Sequence, residues 1–207
     1  MSAFEKQPCI GLFGTCGDST FRQDLFIPEY DRLGIPYFNP QLPAGTWRPE
    51  CSADEADHLA FDVVQCWPVT GETYGAGSLT EQGYSILASL RSESPYPKFV
   101  LPMIELELNP SLDDVVAMNE SIRARKLAVA HMALNASPNV FMVTSLEQML
   151  ETSVTLYGVA QRLVEATIAY NPAYRRYIQG RREREAYRVA MEAGVFGENA
   201  QIIANRS

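Results

Sequence analysis

Apolar residues recur along this chain in two patterns, short continuous runs and longer stretches with helical spacing. The short runs predict buried strands over residues 9–14, 35–38, 62–67, 98–103 and 140–143. The stretches between them predict helices over residues 21–33, 52–60, 79–91 and 113–134. This alternation predicts an α/β fold, with a five-stranded parallel sheet and helices on both faces.

The last sixty or so residues are different, because apolar positions at helical spacing run over 146–168 without a further strand signal. Asn171-Pro172 then starts a second, arginine-rich helix that extends to about Ala193. We therefore predict an α/β domain over 1–144 and a helical extension over 145–207, packed on the domain or on a partner subunit. The arginine-rich face is interpreted as solvated or as a subunit contact, with a phosphate-binding surface as the alternative.

The composition of the chain limits which kinds of binding partner are expected. The 207-residue chain has a net charge of −8, so it is a poor candidate for wrapping nucleic acid. Its four cysteines are scattered, and neither a signal peptide nor a membrane-spanning apolar stretch is evident, which predicts a cytoplasmic protein with no membrane partner. The two histidines have no metal-ligand spacing, so we expect no metal site and no cofactor.

The segment with the clearest chemical signal runs from Tyr74 to Gly83 and follows the predicted strand 62–67. It places Glu81 just inside a helix, behind a loop opened by Gly75 and Gly77, where ligands bind in open α/β sheets. The helix N-terminus would favour the ionised carboxylate that a nucleophile requires. The alternative is a capping box, in which Ser78 and Glu81 bond only to each other's backbone.

The loop after the first strand has the pattern G-x-x-G-x-x-G, which matches neither a nicotinamide fingerprint nor a P-loop. It is either a tight strand-to-helix turn or a loop that contacts a ligand. Asp18 could bond substrate hydroxyls, and Arg22 could hold a phosphate or pair with Asp18.

Several of these segments resemble the nucleoside 2-deoxyribosyltransferase-like family. The strongest part of the resemblance is the segment Gly77-Ser78-Leu79-Thr80-Glu81-Gln82-Gly83, which follows a strand that begins with Asp62. Weaker parts are the loop from Gly11 to Thr20, the Phe38-Asn39-Pro40 step, and Trp47 with the helix that carries Glu55 and His58. The chain departs from the family in having Leu12 and Phe13 where a tyrosine often orients the nucleophile, and Gly75 where a polar residue is common.

This resemblance implies a flavodoxin-like fold, a homodimer or higher homo-oligomer, and cleavage or exchange of the N-glycosidic bond of a nucleoside or nucleotide. Glu81 would attack the anomeric carbon, and Glu55 or Asp54 would assist the departing base. His58, one turn from Glu55, would share its site or else simply pack or cap the helix. The predicted substrate-binding residues are Gly14, Thr15, Asp18, Arg22, Asn39, His58, Tyr74, Gly75, Gly77 and Ser78.

Two other functions fit the same sequence. One is a phosphoribohydrolase of the cytokinin-activating type, whose glycine-rich loop also leads into a helix carrying a glutamate. The other is a non-catalytic nucleotide sensor that couples a ligand to the arginine-rich tail.

Overall fold

A computed structural model describes residues 8–16, 18–43, 46, 48–90, 97–134 and 137–170 of the chain. The strands are β1 (Ile10–Leu12), β2 (Tyr37–Phe38), β3 (Val64–Val69) and β4 (Phe99–Ile104). The helices are α1 (Ile27–Leu33), α2 (Pro49–Phe61), α3 (Ala76–Leu90), α4 (Val115–Leu134) and α5 (Leu146–Tyr170), and a π-helical turn over Arg22–Phe26 leads directly into α1. The α/β class predicted from the sequence is confirmed.

The strands form one parallel sheet in the order β2-β1-β3-β4. In register, Ile10 lies beside both Tyr37 and Val64, and Val64 lies beside Phe99. The chain passes from β1 to β2 in one direction and from β3 to β4 in the other, so the switch point lies between β1 and β3. In doubly wound sheets the ligand crevice opens at the carboxyl ends of the strands beside such a point.

The predicted fifth strand is not confirmed. Val140 forms an isolated parallel bridge with Val100, flanked by hydrogen bonds from Val100 N–H to Asn139 and from Phe141 N–H to Val100. Val143 N–H also donates to the Pro102 carbonyl. The segment follows β4 without the consecutive pairing that would extend the sheet to five strands.

The two faces of the sheet bury separate apolar clusters. Because side chains alternate along a strand, Val64 and Cys66 face one cluster and Trp67 faces the other. The first cluster receives residues of α1 and α5, among them Tyr30 and Met149. The second is smaller and is built from Phe13, Trp67 and Val100, with Phe38, Leu59, Ile86 and Val140 against it.

The contacts divide the chain into two units. The α/β unit runs from Pro8 to Val164, so it includes most of α5 and ends later than the boundary predicted after Thr144. The other unit combines Met1–Gln7 with Glu165–Ser207, and of these the structure describes only the end of α5. The predicted arginine-rich helix lies outside the described residues. None of the described helices combines the length and apolar character needed to cross a membrane.

Candidate functional site at the carboxyl edge of the sheet

The loops that follow β1 and β3 are joined at the carboxyl edge of the sheet. Thr15 N–H donates to the Pro68 carbonyl at 2.8 Å, and Thr70 N–H donates to the Thr15 Oγ1 at 2.9 Å. Gly14 has a φ of 87°, and a Cβ there would lie 2.3 Å from the Pro68 carbonyl oxygen, so the close approach requires glycine. Gly14 and Thr15, both predicted to bind substrate, instead fix the contact between the loops.

The side chain of Arg22 fixes the loop that follows β1. Its buried guanidinium donates to the carbonyls of Leu12, Phe13 and Thr15 at 2.9, 2.8 and 2.7 Å. These bonds occupy the donors that the sequence analysis assigned to a phosphate. Asp18 is exposed, and the described residues show no ion pair between it and Arg22.

A second buried guanidinium, that of Arg125 on α4, holds the loop after β3. It donates at 2.9 Å to the carbonyl of Val69, which ends β3, and to the loop carbonyls of Thr70 and Thr73. It also donates at 2.7 Å to the backbone carbonyl of Glu105. This role could not be predicted from the sequence, because nothing in the pattern of α4 distinguishes Arg125 from the arginines on a solvated face. Only in the folded chain are Ser121 and Arg125, one helical turn apart, both buried and joined by a hydrogen bond of 3.2 Å.

Arg125 also explains why position 75 is glycine. Gly75 has a φ of 68°, and a Cβ there would lie 2.8 Å from both Arg125 Nη2 and Val69 Cγ1. The polar side chain that the resemblance leads one to expect at this position has no room here. At Gly77 a Cβ would meet nothing within 4 Å, so this position is open.

The capping box between Ser78 and Glu81 does not form. Helix α3 begins at Ala76, and the Gly75 carbonyl accepts the first helical bond, from Leu79 N–H at 2.9 Å. Ser78 is therefore the third residue of the helix, where it cannot act as the cap, and no hydrogen bond joins it to Glu81 in the described part of the chain. Glu81 is exposed, and its carboxylate is free of the local bonding that the alternative required.

The charge state expected of Glu81 needs correction. The carboxylate lies beyond the first turn of α3, where the field of the helix terminus has largely fallen away. Partial desolvation instead raises the pKa of Glu81.

Glu55, on α2, lies close enough to Glu81 for the two charges to interact. Burial raises the pKa of Glu55, and the negative charge of Glu81 raises it further. The resemblance implies that both side chains share one pocket; Glu81 does not line the small cavity that opens beside Glu55, and the two carboxylates interact through their charges.

Cys16, in the loop after β1, lies beside the same two carboxylates. Desolvation raises the pKa of its thiol, the charge of Arg22 lowers it, and the charges of Glu55 and Glu81 raise it again. The residue as a whole is exposed, and its part-buried sulfur contacts the Gly14 carbonyl at 3.6 Å and Arg22 Nη2 at 3.7 Å. Cys16 was not among the predicted site residues, and its place in a glycine-rich loop was the available signal.

A small cavity of about 100 Å³ opens next to Glu55. Asn39 and Asp54, both predicted site residues, line it with Glu55, and its other lining residues are Phe38, Pro40, Leu42 and Cys51. The Asn39 Oδ1 accepts a hydrogen bond from Gln41 N–H at 3.0 Å, which fixes the turn after β2. Helix α2 begins at Pro49 rather than after Ser52, with proline at its first position.

Tyr74 and His58, both predicted to bind substrate, make their contacts away from Glu81. The Tyr74 hydroxyl accepts a hydrogen bond from Asp114 N–H at 3.3 Å, and the Tyr74 carbonyl accepts one from Ser121 at 2.7 Å, so Tyr74 contacts the start of α4. The His58 ring packs on Phe38, and its Nδ1 lies 2.9 Å from Asp62 Oδ1 at the amino edge of the sheet. Neither side chain contacts Glu81.

Comparisons of this chain with family models, with curated proteins and with solved structures give no match.

Proposed function

We propose that this protein cleaves or exchanges the N-glycosidic bond of a nucleoside, with Glu81 as the nucleophile and Glu55 as the acid. The observation that supports this proposal is the interaction between Glu55 and Glu81 beside the β1/β3 switch point. Paired carboxylates are the usual machinery for breaking glycosidic bonds, and unequal environments let one serve as acid while the other stays ionised.

In the first step, Glu81 forms a bond to the anomeric carbon while the bond from that carbon to the base breaks. The sugar passes through an oxocarbenium-like transition state and ends as an ester of Glu81. Glu55 donates its proton to the departing base, which leaves neutral. A raised pKa of Glu55 keeps that proton available closer to neutral pH.

In the second step, the glycosyl ester is broken by a second nucleophile. Glu55, now ionised, takes a proton from water or from an incoming base, which attacks the anomeric carbon and restores the Glu81 carboxylate. Attack by water makes the protein a hydrolase, and attack by a base makes it a transferase.

The surroundings of the carboxylates favour a nucleoside over its 5′-phosphate. Arg22 and Arg125, the buried arginines that hold the two loops, donate to backbone carbonyls rather than into the site. A phosphate placed near the ionised Glu81 would meet a charge of the same sign, which weakens binding.

The primary test is release of free base from a panel of nucleosides and their 5′-monophosphates, followed by chromatography. We expect turnover of at least one nucleoside, with the monophosphate processed more slowly. Glu81→Gln should abolish turnover with the fold intact, whereas Glu151→Gln, a matched change on the exposed surface of α5, should leave it unchanged. A folded Glu81→Gln protein that retains turnover would remove Glu81 from the mechanism.

The intermediate provides a second test. Mass spectrometry of the protein quenched during turnover of a slow substrate should show a sugar-sized adduct on the peptide that carries Glu81. Its persistent absence during active turnover would favour direct attack by water. Saturable nucleoside binding without base release would identify a non-catalytic sensor instead.

A further inference from the structure

A second group of chemically reactive side chains lies at the opposite, amino edge of the sheet. Cys9 immediately precedes β1, Asp62 lies just before β3, and His58 lies in the last turn of α2. One ligand atom from each lies within 4.8 Å of the other two. His58 Nδ1 is 2.9 Å from Asp62 Oδ1 and 3.9 Å from Cys9 Sγ.

The backbone fixes these three residues relative to one another. The Cys9 carbonyl accepts a hydrogen bond from Val63 N–H at 3.1 Å, and the His58 carbonyl accepts one from Asp62 N–H at 2.9 Å. The His58 ring stacks on Phe38, with ring centroids 3.8 Å apart and planes 8° apart. The donor atoms are therefore held together by the fold itself, before any ligand binds.

Burial makes the carboxylate unusual. Asp62 is only 3% exposed, and its Oδ2 has no hydrogen-bond partner among the described residues. Gly11 leaves the space that this oxygen occupies, since a Cβ there would lie 2.7 Å from it. Lys98 provides some positive charge nearby, but its Nζ donates to the Leu59 carbonyl. A buried carboxylate with an unsatisfied oxygen is costly unless a cation or a donor completes its surroundings.

The donor set selects a particular class of cation. A thiolate sulfur, an imidazole nitrogen and a carboxylate oxygen together suit zinc, whereas magnesium and calcium prefer oxygen alone. Ligand atoms at zinc distances in a tetrahedron lie roughly 3.3–3.8 Å apart. The separations of 2.9 and 3.9 Å lie within a few tenths of an ångström of that range, and the sulfur and carboxylate oxygen lie within 4.8 Å of each other, so a local rearrangement of the side chains would admit the ion.

We propose that Cys9, His58 and Asp62 bind one zinc ion that links β1, α2 and β3 at the amino edge of the sheet. Within the part of the chain that the structure describes, no fourth Cys, His, Asp or Glu joins the group, so water completes the tetrahedron. Binding releases the thiol proton of Cys9 and displaces the hydrogen bonds that Asp62 makes with His58 and with the Cys9 thiol. The inference is independent of the proposed function, because the site lies at the other edge of the sheet from Glu81.

The test uses the full-length protein, stripped of metal and titrated with Co²⁺ and then Zn²⁺. We expect one equivalent of Co²⁺ to produce a thiolate-to-cobalt charge-transfer band, and one equivalent of Zn²⁺ to remove it. The Tm should rise with free zinc, since a ligand that binds only the folded state stabilises it. Absence of the band in the wild-type protein overturns the proposal without any variant.

Variants identify the ligands. Cys9→Ser should remove the charge-transfer band, and His58→Gln and Asp62→Asn should each weaken zinc binding by roughly 10-fold or more. Cys51→Ser and His131→Gln are the matched controls for the thiol and the imidazole, and both should bind zinc as the wild type does. A Cys9→Ser protein that keeps the band, or a Cys51→Ser protein that loses it, would overturn the assignment. If Cys9→Ser does not fold, His58→Gln, whose side chain is only partly buried, decides the question by the same titration.

Discussion

The backbone N–H of Thr70 donates a hydrogen bond of 2.9 Å to the side-chain oxygen of Thr15. Thr15 lies in the loop after β1 and Thr70 begins the loop after β3, so this single bond joins the two loops that flank the candidate site. Both residues are buried, which means that water cannot replace the bond if the side chain is lost.

Thr15→Val should therefore destabilise the protein without changing the size of the side chain. It leaves the Thr70 N–H buried and unpaired, and we expect a loss of about 1–3 kcal/mol in the free energy of unfolding. Urea denaturation followed by circular dichroism measures the change. Thr15→Ser, which keeps the hydroxyl, should retain most of the stability, and equal losses in both variants would show that the bond contributes nothing.

Gly75 and Gly77 differ in backbone conformation and in the space around them, so alanine at the two positions should change stability in opposite directions. Gly75→Ala places a methyl group 2.8 Å from Arg125 Nη2 at a φ of 68°, so we expect a loss of about 1–3 kcal/mol in the free energy of unfolding. Gly77→Ala lies inside α3 and meets nothing within 4 Å, so we expect a gain of about 0.5–1 kcal/mol. Thermal or urea unfolding measures the change in the free energy of unfolding of each variant. A stabilised Gly75→Ala protein would contradict the contact with Arg125.

The hydrogen bond between Tyr30 and Ser153 connects α1 with α5 inside the α/β unit. The two hydroxyl oxygens are 2.6 Å apart, and Ser153 donates onward to the Leu150 carbonyl, so the Tyr30 hydroxyl is the donor to Ser153. Tyr30→Phe removes that donor and should cost about 0.5–1.5 kcal/mol in the free energy of unfolding. Ser153→Ala leaves the buried phenol only the longer contact with Cys66 Sγ at 4.0 Å and should cost more, about 1–3 kcal/mol.

A double-mutant cycle on this pair measures the energy of the bond itself. We expect a coupling of about 0.5–3 kcal/mol between Tyr30→Phe and Ser153→Ala. Strictly additive losses would show that the hydrogen bond between Tyr30 and Ser153 contributes nothing to stability.

The sequence was most informative where one segment alone determines structure. The strand before Glu81, the loop after that strand and the helix carrying the glutamate are consecutive, so their order placed Glu81 at the carboxyl edge of the sheet. The helix start was wrong by a few residues, because it depends on the positive φ of Gly75 and on Arg125, which lies far along the chain.

Contacts between distant segments could not be read in the same way. Arg22 was expected to offer its donors to a ligand, but carbonyls of the neighbouring loop take them once β1 and the π-helical turn pack together. His58 was expected beside Glu55, and it faces Cys9 and Asp62 instead. The spacing of cysteine and histidine along the chain gave no metal motif, since the three proposed ligands come from segments that meet only in the folded sheet.

The interaction between Glu55 and Glu81 leads to an expected pH dependence of kcat/KM. Turnover requires Glu81 ionised and Glu55 protonated, so activity should rise as pH rises through the pKa of Glu81 and fall as pH rises through that of Glu55. Burial raises both pKa values, and the charge of Glu81 raises that of Glu55 further. The bell-shaped pH profile of kcat/KM should therefore lie at higher pH than the pKa values of ordinary glutamates. Its two apparent pKa values describe the coupled pair of carboxylates rather than either residue alone.

Glu55→Gln separates the acid from the nucleophile. The variant cannot protonate the base, so we expect kcat to fall by about 10²–10⁴ and the alkaline limb of the profile to disappear. A nucleoside with an N7-methylated purine already carries the positive charge that protonation would supply, and its base leaves neutral without an acid. Glu55→Gln should lose far less activity on that substrate, whereas Glu81→Gln should lose activity on both. An equal loss on the two substrates in Glu55→Gln would mean that Glu55 positions the sugar or Glu81 rather than donating a proton.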